Sequence, residues 1–511
     1  MISYMMGANR KGAAVKRLDR RKFLNLSAAT AAASIMPLST LQSCLGQVQT
    51  AIPKFNIIFI LADDLGWADV GCYGGDLHET PNIDKLAQQG VRFTDAYAAA
   101  PVCSPTRASI MTGKYPARLH MTIWYEASAN PPHRRKLIPP ITQGNLPHEQ
   151  VTIAEVLKNA GYFTAHVGKW HLGDAAYYPE TQGFSVNIGG TFWGAPTTFF
   201  YPYSGSSRWG GEFRYVPHLE FGTEGEYLTD RLTDEALHIL EKAKNKPFFL
   251  NLCYHTVHTP IEGKSELVEH YKRKLKPGML HQNAEYAAMV HSLDQNIGRI
   301  LDKIRELGVA DHTIVMFFSD NGGYINKYKD NAVTNNYPLR SGKGSLYEGG
   351  IRVPLIIRWP GVTKAGSICR EPVSSIDFYP TILDMTGLTG DSKHNSDMDG
   401  LSLVALLKDP NSKLKRGALY WHYPHYYPTT SPVSSIRQGD WKLLEYLEDR
   451  RVELYDLKQG IGEKNNLAAA TPEKSEELRR RLGSWRNAVG AQMPTLNLKY
   501  GPRLQDDTVT P

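Results

Sequence analysis

The sequence predicts an α/β fold, with a large, mostly parallel sheet flanked by helices and a smaller C-terminal antiparallel sheet followed by a helix. Three observations predict it. Four short apolar runs have the composition of strands that are buried on both faces. Segments with helical patterns separate these runs, and after residues 399–403 the pattern becomes typical of short antiparallel strands. At 511 residues the chain is also too long for one compact core.

Each of the four apolar runs ends in polar or ionisable side chains. The runs are FNIIFILADD (55–64), YFTAHVGKWHLG (162–173), PFFLNLCYHTVHTP (247–260) and HTIVMFFSDNGG (312–323). The side chains at their ends are Asp63, Asp64, Lys169, His171, His255, His258, Asp320 and Asn321. Because ligands of open α/β sheets bind outside the carboxyl ends of the strands, we expect these groups to surround one site.

Three segments between the runs are expected to form helices, namely 82–90, 151–161 and 226–244. Gly90 and Gly161 close the first two and are expected to adopt the left-handed conformation that ends many helices. The alternation of strand and helix predicts a doubly wound domain over residues 53–390. Residues 391–511 are expected to form the smaller domain, with two or three antiparallel strands in SSIRQGDWKLLEYLEDRRVELYDL and an amphipathic helix in PEKSEELRRRLGSWRNAV.

The basic charge of the chain is concentrated in residues 1–50, which carry +6 of the net charge of +7. The remainder is nearly neutral, so we expect no groove for nucleic acid. This leader contains Arg20 and Arg21, an apolar stretch too short for a membrane span, and Leu-Gln-Ser-Cys ending at Cys44. It resembles a twin-arginine export signal with a possible lipobox, in which Cys44 would be lipidated. The prediction is export to the periplasm of a bacterium or anchoring there as a membrane lipoprotein; a mitochondrial transit peptide is the alternative.

The five cysteines are widely scattered, which is not the pattern of a disulfide framework. Cys253 and Cys369 are expected to be ordinary thiols. Cys103 starts the sequence Cys-Ser-Pro-Thr-Arg, in which it is either a buried thiol at a turn or a chemically modified residue.

Asp63, Asp64, Asp320 and Asn321 offer only oxygen ligands at two strand ends. Hard cations such as calcium or magnesium prefer such a set, whereas zinc would prefer histidine or cysteine. If Asp63 and Asp64 are considered by themselves, a helix cap or salt bridges within a loop is the alternative explanation. The second pair, Asp320 and Asn321, follows another buried strand, and this repetition favours the metal site.

Together these motifs resemble the type I sulfatases of the alkaline phosphatase superfamily. Residues 103–107 match the family's C-x-P-x-R signature, whose cysteine is oxidised to Cα-formylglycine. Four further segments follow in the family's order, namely GKWHLG (168–173), HTP (258–260), SDNGG (319–323) and GKGSLYEGGIRVPLIIRWPG (342–361). The resemblance covers nearly all of residues 53–390, and the terminal domain resembles the family's small C-terminal sheet.

The resemblance implies an enzyme that hydrolyses sulfate esters through a formylglycine made from Cys103 and releases inorganic sulfate. One hydroxyl of the hydrated aldehyde would attack sulfur, and the other would later lose its proton so that the aldehyde re-forms. One calcium ion would be held by Asp63, Asp64, residue 103, Asp320 and Asn321, and would neutralise a sulfate oxygen. A separate formylglycine-generating maturation enzyme is then a partner.

The resemblance also implies roles for individual side chains. Arg107 would orient the hydrated side chain, and Lys169 and Lys343 would bind sulfate oxygens. His171 would position or deprotonate the diol, and His258 would protonate the leaving oxygen. His255 is the alternative for that last role, although the Thr-Pro that follows favours His258. The helix after residue 103 would present free N–H groups to an anion.

Two aromatic segments predict a sulfated carbohydrate as substrate, since aromatic faces stack on sugar rings. They are residues 184–217, which include Phe192, Trp193, Phe199, Tyr203 and Trp209, and YWHYPHYYP (420–428). Packing into the core is their alternative explanation. We predict a galactose or N-acetylgalactosamine unit ahead of an aryl or steroid sulfate. Two more function classes stay open, namely a phosphatase or phosphodiesterase, which typically carries Asp-His where this chain has Asp320 and Asn321, and an inactive glycan-binding relative.

Overall fold

The computed structural model describes residues 54–130, 134–206, 211–219 and 221–500. These residues all belong to one compact unit, Ile52–Pro511. The predicted export signal, with Arg20, Arg21 and Cys44, lies outside the described residues and stays a prediction, as does the domain boundary near residue 390. In the described part of the chain no helix has the length and apolar character that crossing a bilayer requires.

An eight-stranded sheet forms the centre of the molecule. Its strands in chain order are Asn56–Ala62 (β1), Val91–Phe93 (β2), Phe163–Gly168 (β3), Val186–Ile188 (β4), Phe248–Cys253 (β5), Thr313–Ser319 (β6), Leu355–Arg358 (β7) and Ser367–Cys369 (β8). In space the order is β8-β2-β7-β6-β1-β5-β3-β4. All neighbours are parallel except β7, which runs antiparallel to both β6 and β2. The predicted mostly parallel sheet is confirmed.

The four apolar runs of the sequence form the four adjacent strands β6, β1, β5 and β3. Their registers align the strand ends, because Ala62 lies opposite Ser319 and Leu61 lies opposite Cys253, which in turn lies opposite Gly168. The residues that follow these strands therefore emerge side by side at one edge of the sheet.

Helices pack against both faces of this sheet, and further helices lie in the connecting segments and on the C-terminal sheet. They are Pro81–Gln89 (α1), Cys103–Thr112 (α2), Pro116–Leu119 (α3), Tyr125–Ala129 (α4), Ile153–Asn159 (α5), Leu228–Ala243 (α6), Ser265–Lys274 (α7), Ala284–Glu306 (α8), Glu348–Ile351 (α9), Phe378–Thr386 (α10), Ser392–Asn395 (α11), Val404–Lys408 (α12) and Pro472–Ala488 (α13). Along β1, Ile58 and Ile60 belong to one hydrophobic core, and Ile57 and Phe59 belong to another. Because successive side chains of a strand point to opposite faces, β1 is buried on both, as its apolar sequence predicts.

Shorter elements complete the described chain. Single-turn 3₁₀ helices are Trp67–Asp69, Gly71–Tyr73, Ala175–Tyr177, Pro179–Gln182, Ala310–His312 and Ser375–Asp377. Two-residue strand pairs join Ala96–Tyr97 to Val373–Ser374, Leu137–Ile138 to Thr495–Leu496, Gly205–Ser206 to Phe213–Arg214 and Lys327–Tyr328 to Asn331–Ala332. The described cysteines are free thiols.

The three predicted helices correspond to α1, α5 and α6, but one of their predicted ends is wrong. Gly161 has a φ of +85°, as expected for a left-handed helix end. Gly90 instead has a φ of −133°, which is extended backbone. A Cβ at this position would lie 2.3 Å from the carbonyl oxygen of Ile357. Gly90 therefore allows α1 to pass close to β7, which is a tertiary requirement and not a helix-capping one.

The C-terminal sheet has four antiparallel strands, Leu419–Tyr423 (β9), Val433–Gln438 (β10), Trp441–Tyr446 (β11) and Val452–Asp456 (β12). Helix α13 packs against it through Leu478 and Leu482. The predicted sheet and closing helix are confirmed. Strand β9 is not predicted, because its aromatic and histidine residues are interpreted from the sequence as part of a substrate-binding segment.

Buried ion pairs join the C-terminal sheet to the rest of the molecule. Lys442 on β11 contacts Glu348 at 2.8 Å and Glu463 at 2.9 Å, and all three side chains are buried. Burial raises the pKa of Glu348, but Lys442 and Arg352 outweigh it and bring the pKa to about 2. Removing one member of such a buried pair typically costs about 3–5 kcal/mol. Glu348 begins α9, shortly after Lys343, so the C-terminal sheet fixes a segment that carries a predicted site residue.

Candidate active site

Two adjacent carboxylates, Asp63 and Asp64, follow β1 and are almost completely buried. The chain turns sharply here, because Asp64 has a φ of +61°, in the sparsely populated left-handed region. The backbone N–H of Asp63 donates to the carbonyl of Thr256 at 3.1 Å, which ties this turn to the segment after β5.

A buried cation accompanies each carboxylate of the site. Lys169 Nζ lies 2.7 Å from Asp63 Oδ2. Lys343 Nζ lies 2.8 Å from Asp64 Oδ2, and Arg107 Nε donates to Asp320 Oδ2 at 2.8 Å. Since an unpaired buried charge is strongly unfavourable, these six groups have to be assembled together.

The two neighbouring aspartates differ in their pKa values. Burial raises the pKa of Asp63 to about 7, with Asp320 and Asp64 adding to the rise and Lys169 opposing it. Burial also acts on Asp64, but Lys343 and His258 outweigh it and bring its pKa to about 2. Asp64 is therefore the more firmly ionised of the pair.

Cys103 is the first residue of α2, and its side chain is only 3% exposed. Its Sγ lies 3.3 Å from Nδ1 of His171. Burial raises the pKa of this thiol, although Lys169 and Lys343 act in the opposite direction. The free N–H groups at the start of this ten-residue helix favour a negative charge next to Cys103.

Two histidines at the site are neutral. Burial and the neighbouring Lys169 hold the pKa of His171 well below its usual value, and burial and Lys343 do the same for His258. His258 Nε2 lies 3.6 Å from Asp64 Oδ2, and its Nδ1 lies 2.8 Å from the carbonyl oxygen of Thr259.

A cavity of about 590 Å³ opens onto this cluster. Five of the predicted residues line it, namely Asp64, Cys103, His171, His258 and Lys343. The other five do not line the cavity. Asp320 and Asn321 contact Asp64. Arg107 contacts Asp320 and the carbonyl oxygen of Lys169, and Lys169 in turn contacts Asp63. His255, the predicted alternative to His258, does not line the cavity, and neither of its ring nitrogens has a hydrogen-bond partner among the described residues.

The donor set fits a hard cation. Asp63 Oδ1 and Asn321 Oδ1 are buried and have no hydrogen-bond partner in the part of the chain that the structure describes. Asp320 Oδ1 accepts from the backbone N–H of Asp64 at 3.2 Å, which brings the second strand end to the first. Buried oxygens normally have partners, and carboxylate and amide oxygens are the ligands that calcium takes in proteins.

A second buried cluster supports the turn after β1, and no motif in the sequence points to it. Asp69 accepts hydrogen bonds from Gly66 N at 2.7 Å and from Tyr286 Oη at 2.6 Å. Ligand atoms of Asp69, His78 and His281 lie within 4.8 Å of one another. His281 Nδ1 lies 2.5 Å from Asp76 Oδ1, and its Nε2 lies 2.9 Å from the carbonyl of Asn335, so both its nitrogens are occupied by hydrogen bonds.

The two predicted aromatic segments divide between the core and the cavities. Phe199 and Tyr203 are fully buried in the core, whereas the guanidinium of Arg214, which lines the cavity, lies 4.6 Å from the ring of Trp193. Phe192 lines a neighbouring cavity, and Trp209 lies outside the described residues. In the second segment Tyr427 lines the active-site cavity, but Trp421, His422 and Tyr423 are buried within β9.

Two cavity residues carry no sequence signal. Trp124 and Glu126, at the start of α4, lie in a segment without a recognisable motif, whereas Glu212 and Arg214 lie within the predicted aromatic segment 184–217. The position of Trp124 and Glu126 depends on the tertiary path of a connecting segment.

Comparison with known proteins gives consistent matches. The family model named Sulfatase matches residues 55–388, and the model for the C-terminal part of N-sulphoglucosamine sulphohydrolase matches residues 342–488. A sulfatase of Formosa agariphila is 34% identical over 478 residues, which cover 82% of this chain and 85% of that protein. Human N-acetylgalactosamine-6-sulfatase is 32% identical over 407 residues, covering 75% of this chain and 74% of that protein.

Solved structures agree with these matches. The structure of Ps i-CgsB in complex with k-i-k-neocarrahexaose has a TM-score of 0.71 at 30% identity, covering 85% of this chain and 93% of that one. The structure of BT4656 in complex with D-glucosamine-2-N,6-O-disulfate has a TM-score of 0.61 at 25% identity, covering 86% and 98%.

Gly194 offers a test of how His171 is positioned. A Cβ at residue 194 would lie 2.3 Å from Cε1 of His171, so Gly194→Ala has to displace the imidazole. Because small displacements of a reacting group can cost about 100-fold, we expect turnover of a chromogenic sulfate ester to fall about 10- to 100-fold. The control is Gly460→Ala, where a Cβ meets nothing within 4 Å and full turnover is expected. Unchanged turnover in Gly194→Ala would show that the His171 geometry does not matter.

Proposed function

The chain belongs to the sulfatase family and is a sulfuric ester hydrolase, and we propose that it removes sulfate from a carbohydrate by means of a formylglycine formed from Cys103. The observation that carries this proposal is the contact of Cys103 with His171 at the cavity that Asp64, His258 and Lys343 also line. The cavity is therefore lined by the nucleophile at residue 103, a proton acceptor (His171), a cation (Lys343) and a proton donor (His258). Displacement at sulfur requires these four groups to surround the substrate.

Cys103 and His171 would supply the nucleophile. The hydrate of an aldehyde at residue 103 would supply the hydroxyl that attacks sulfur, and the S–O bond to the alcohol would break. His171 is neutral and lies 3.3 Å from the side chain of residue 103, so its Nδ1 is suited to accept the proton of that hydroxyl. Arg107 does not line the cavity; it donates to Asp320 and to the carbonyl oxygen of Lys169, and would act by holding both in place.

His258 would donate the proton to the departing alcohol. Its contact with Thr259 places Nδ1 as a donor to a carbonyl, which directs Nε2 towards Asp64. Burial and Lys343 hold the pKa of the free His258 well below its usual value, and an anionic sulfate bound next to its ring would act to raise that pKa.

We infer that one calcium ion is held by Asp63, Asp64, Asp320, Asn321 and residue 103. The unpartnered oxygens of Asp63 and Asn321 support this inference, since they are buried and lie at this set of carboxylates. When bound, the ion supplies positive charge that neutralises a sulfate oxygen. Lys343, which already lines the cavity, would contribute a second positive charge to the same anion.

The cavity and the relatives favour a sugar. Trp124 and Tyr427 offer aromatic faces for stacking, and Glu126 and Glu212 offer carboxylates that accept hydrogen bonds from hydroxyl groups. The relative named N-acetylgalactosamine-6-sulfatase favours a galactose-type unit. Human arylsulfatase A, 31% identical over 496 residues and covering 87% of this chain, makes a general arylsulfatase the second candidate.

The leader suggests where the enzyme acts. Arg20, Arg21 and Cys44 support export to the periplasm, with lipid attachment at Cys44 as a further step.

For the nucleophile, we expect Cys103→Ala to lower turnover at least about 1,000-fold, because the attacking group is lost. The free energy of unfolding should change by only about 1 kcal/mol. The measurement pairs kinetics with the mass of the peptide that contains residue 103, and Cys369→Ala, a buried thiol on β8, is the control that keeps its activity. Fully active protein in which residue 103 is an unmodified thiol would contradict the proposal.

For the metal, we expect chelation to reduce activity and added calcium, but not zinc, to restore it. Asp320→Ala should weaken calcium binding at least about 100-fold in calorimetry, and Asp320→Asn, which keeps the shape of the side chain, should weaken it too. Undiminished calcium binding in both variants would remove Asp320 from the site.

For the substrate, a panel of defined sulfated galactose and N-acetylgalactosamine units is compared with a nitrophenyl sulfate. We expect the highest kcat/KM with a sugar, because the cavity offers both stacking faces and hydroxyl partners. If the aryl ester is hydrolysed far more efficiently than every sugar, the general arylsulfatase is the correct assignment.

For the location, we expect cell fractionation of the native host to recover the protein, without residues 1–43, in the periplasmic or membrane fraction. An uncleaved cytosolic protein would disprove export.

A further inference from the structure

A second cavity, of about 370 Å³, adjoins the active-site cavity. The two share three lining residues, Trp124, Glu126 and His171. Its volume falls within the range of about 300–1,000 Å³ that is typical of ligand sites.

The start of α2 separates these two cavities. Cys103 lines the first, and the next residue, Ser104, lines the second. Ser104 is only 3% exposed, and its Oγ has no hydrogen-bond partner among the described residues. A buried hydroxyl without a partner is costly, so its presence at this wall points to a ligand that hydrogen-bonds to it.

We propose that the second cavity binds an uncharged sugar unit next to the sulfated one, so that the enzyme acts on an oligosaccharide of at least two units. This inference rests on the proposed function as a carbohydrate sulfatase. The sulfated unit occupies the cavity of Cys103, and its neighbour occupies the cavity of Ser104.

The lining of the second cavity suits a sugar ring. The ring of Tyr125 packs on Gly144, where a Cβ would lie 2.7 Å from Tyr125 Cδ2, so this half-exposed ring has a defined position. Asn145 Oδ1 accepts a hydrogen bond from the backbone N–H of Asp174 at 3.0 Å, which fixes a polar group in the lining of the same cavity. An aromatic face beside fixed polar groups is the arrangement that binds the C–H face and the hydroxyls of a sugar.

The charges of the lining exclude an acidic unit. Two carboxylates, Glu126 and Asp174, line the second cavity, and the described lining residues include no lysine or arginine. A uronate or a second sulfate would lie near like charges without a cation, which is unfavourable, whereas neutral hydroxyls can donate to these carboxylates.

The first experiment compares three substrates with the mature wild-type enzyme. They are a galactose O-sulfate, the same sulfated unit linked to galactose, and the same unit linked to glucuronic acid. We expect kcat/KM to be about tenfold higher for the neutral disaccharide than for the monosaccharide, as one stacked and hydrogen-bonded unit would give. The glucuronic acid disaccharide should be no better than the monosaccharide.

The second experiment uses variants. Tyr125→Ala and Ser104→Ala should each lower the ratio of kcat/KM between neutral disaccharide and monosaccharide about three- to tenfold. Tyr337→Ala is the matched control, because Tyr337 is 53% exposed, against 52% for Tyr125, and lines neither cavity. Ser104 lies within the formylglycine signature, so the formylglycine content of each variant is measured by mass spectrometry, and Tyr125→Ala provides the independent arm.

The outcomes separate this inference from the function on which it rests. Equal kcat/KM for mono- and disaccharide, or an unchanged ratio in Tyr125→Ala, would overturn the second subsite and leave the carbohydrate sulfatase intact. Preference for the glucuronic acid disaccharide would overturn the assignment of a neutral unit. Hydrolysis of the aryl ester alone would overturn both proposals.

Discussion

Three carboxylates, those of Asp63, Asp64 and Asp320, are buried where β1 and β6 end, and each lies against a buried cation. These carboxylates could not be buried in ionised form without partner cations, because an isolated buried carboxylate is strongly unfavourable. Their partners come from segments far apart in the chain, and the parallel sheet brings those segments together. The separation of pKa between Asp63 and Asp64 follows from the same arrangement, since Lys343 and His258 both act on Asp64.

Much of the charge cluster could be predicted from the sequence, because parallel strands align their carboxyl ends. Asp63, Lys169 and Asp320 each follow a recognisable apolar run, so their proximity follows from the sheet. Individual pairings could not be predicted: Arg107 contacts Asp320 and Lys169 and not the cavity, which depends on the direction of its side chain in the folded helix.

Some features could not be predicted from the sequence, and the reason is physical. Gly90 directly follows a helical pattern, which predicts a left-handed helix end, but the close approach of β7 determines its conformation. Residues of the cavity walls, such as Trp124, have no periodic pattern, since they lie on connecting segments whose path the core determines. Aromatic residues give the same composition signal whether they pack in the core, as Phe199 does, or line a cavity, as Tyr427 does.

The join between the two sheets has a consequence for the order of events during synthesis. Asp95 and Tyr97 lie a few residues before Cys103, and both contact Arg437, which follows some 340 residues later. At about 5–20 residues per second, a ribosome needs roughly 20–70 seconds to make that stretch of chain. Throughout this interval the segment that leads into Cys103 lacks its final partners. The surroundings of Cys103, which is buried in the folded protein, are therefore completed only after the C-terminal sheet has been made.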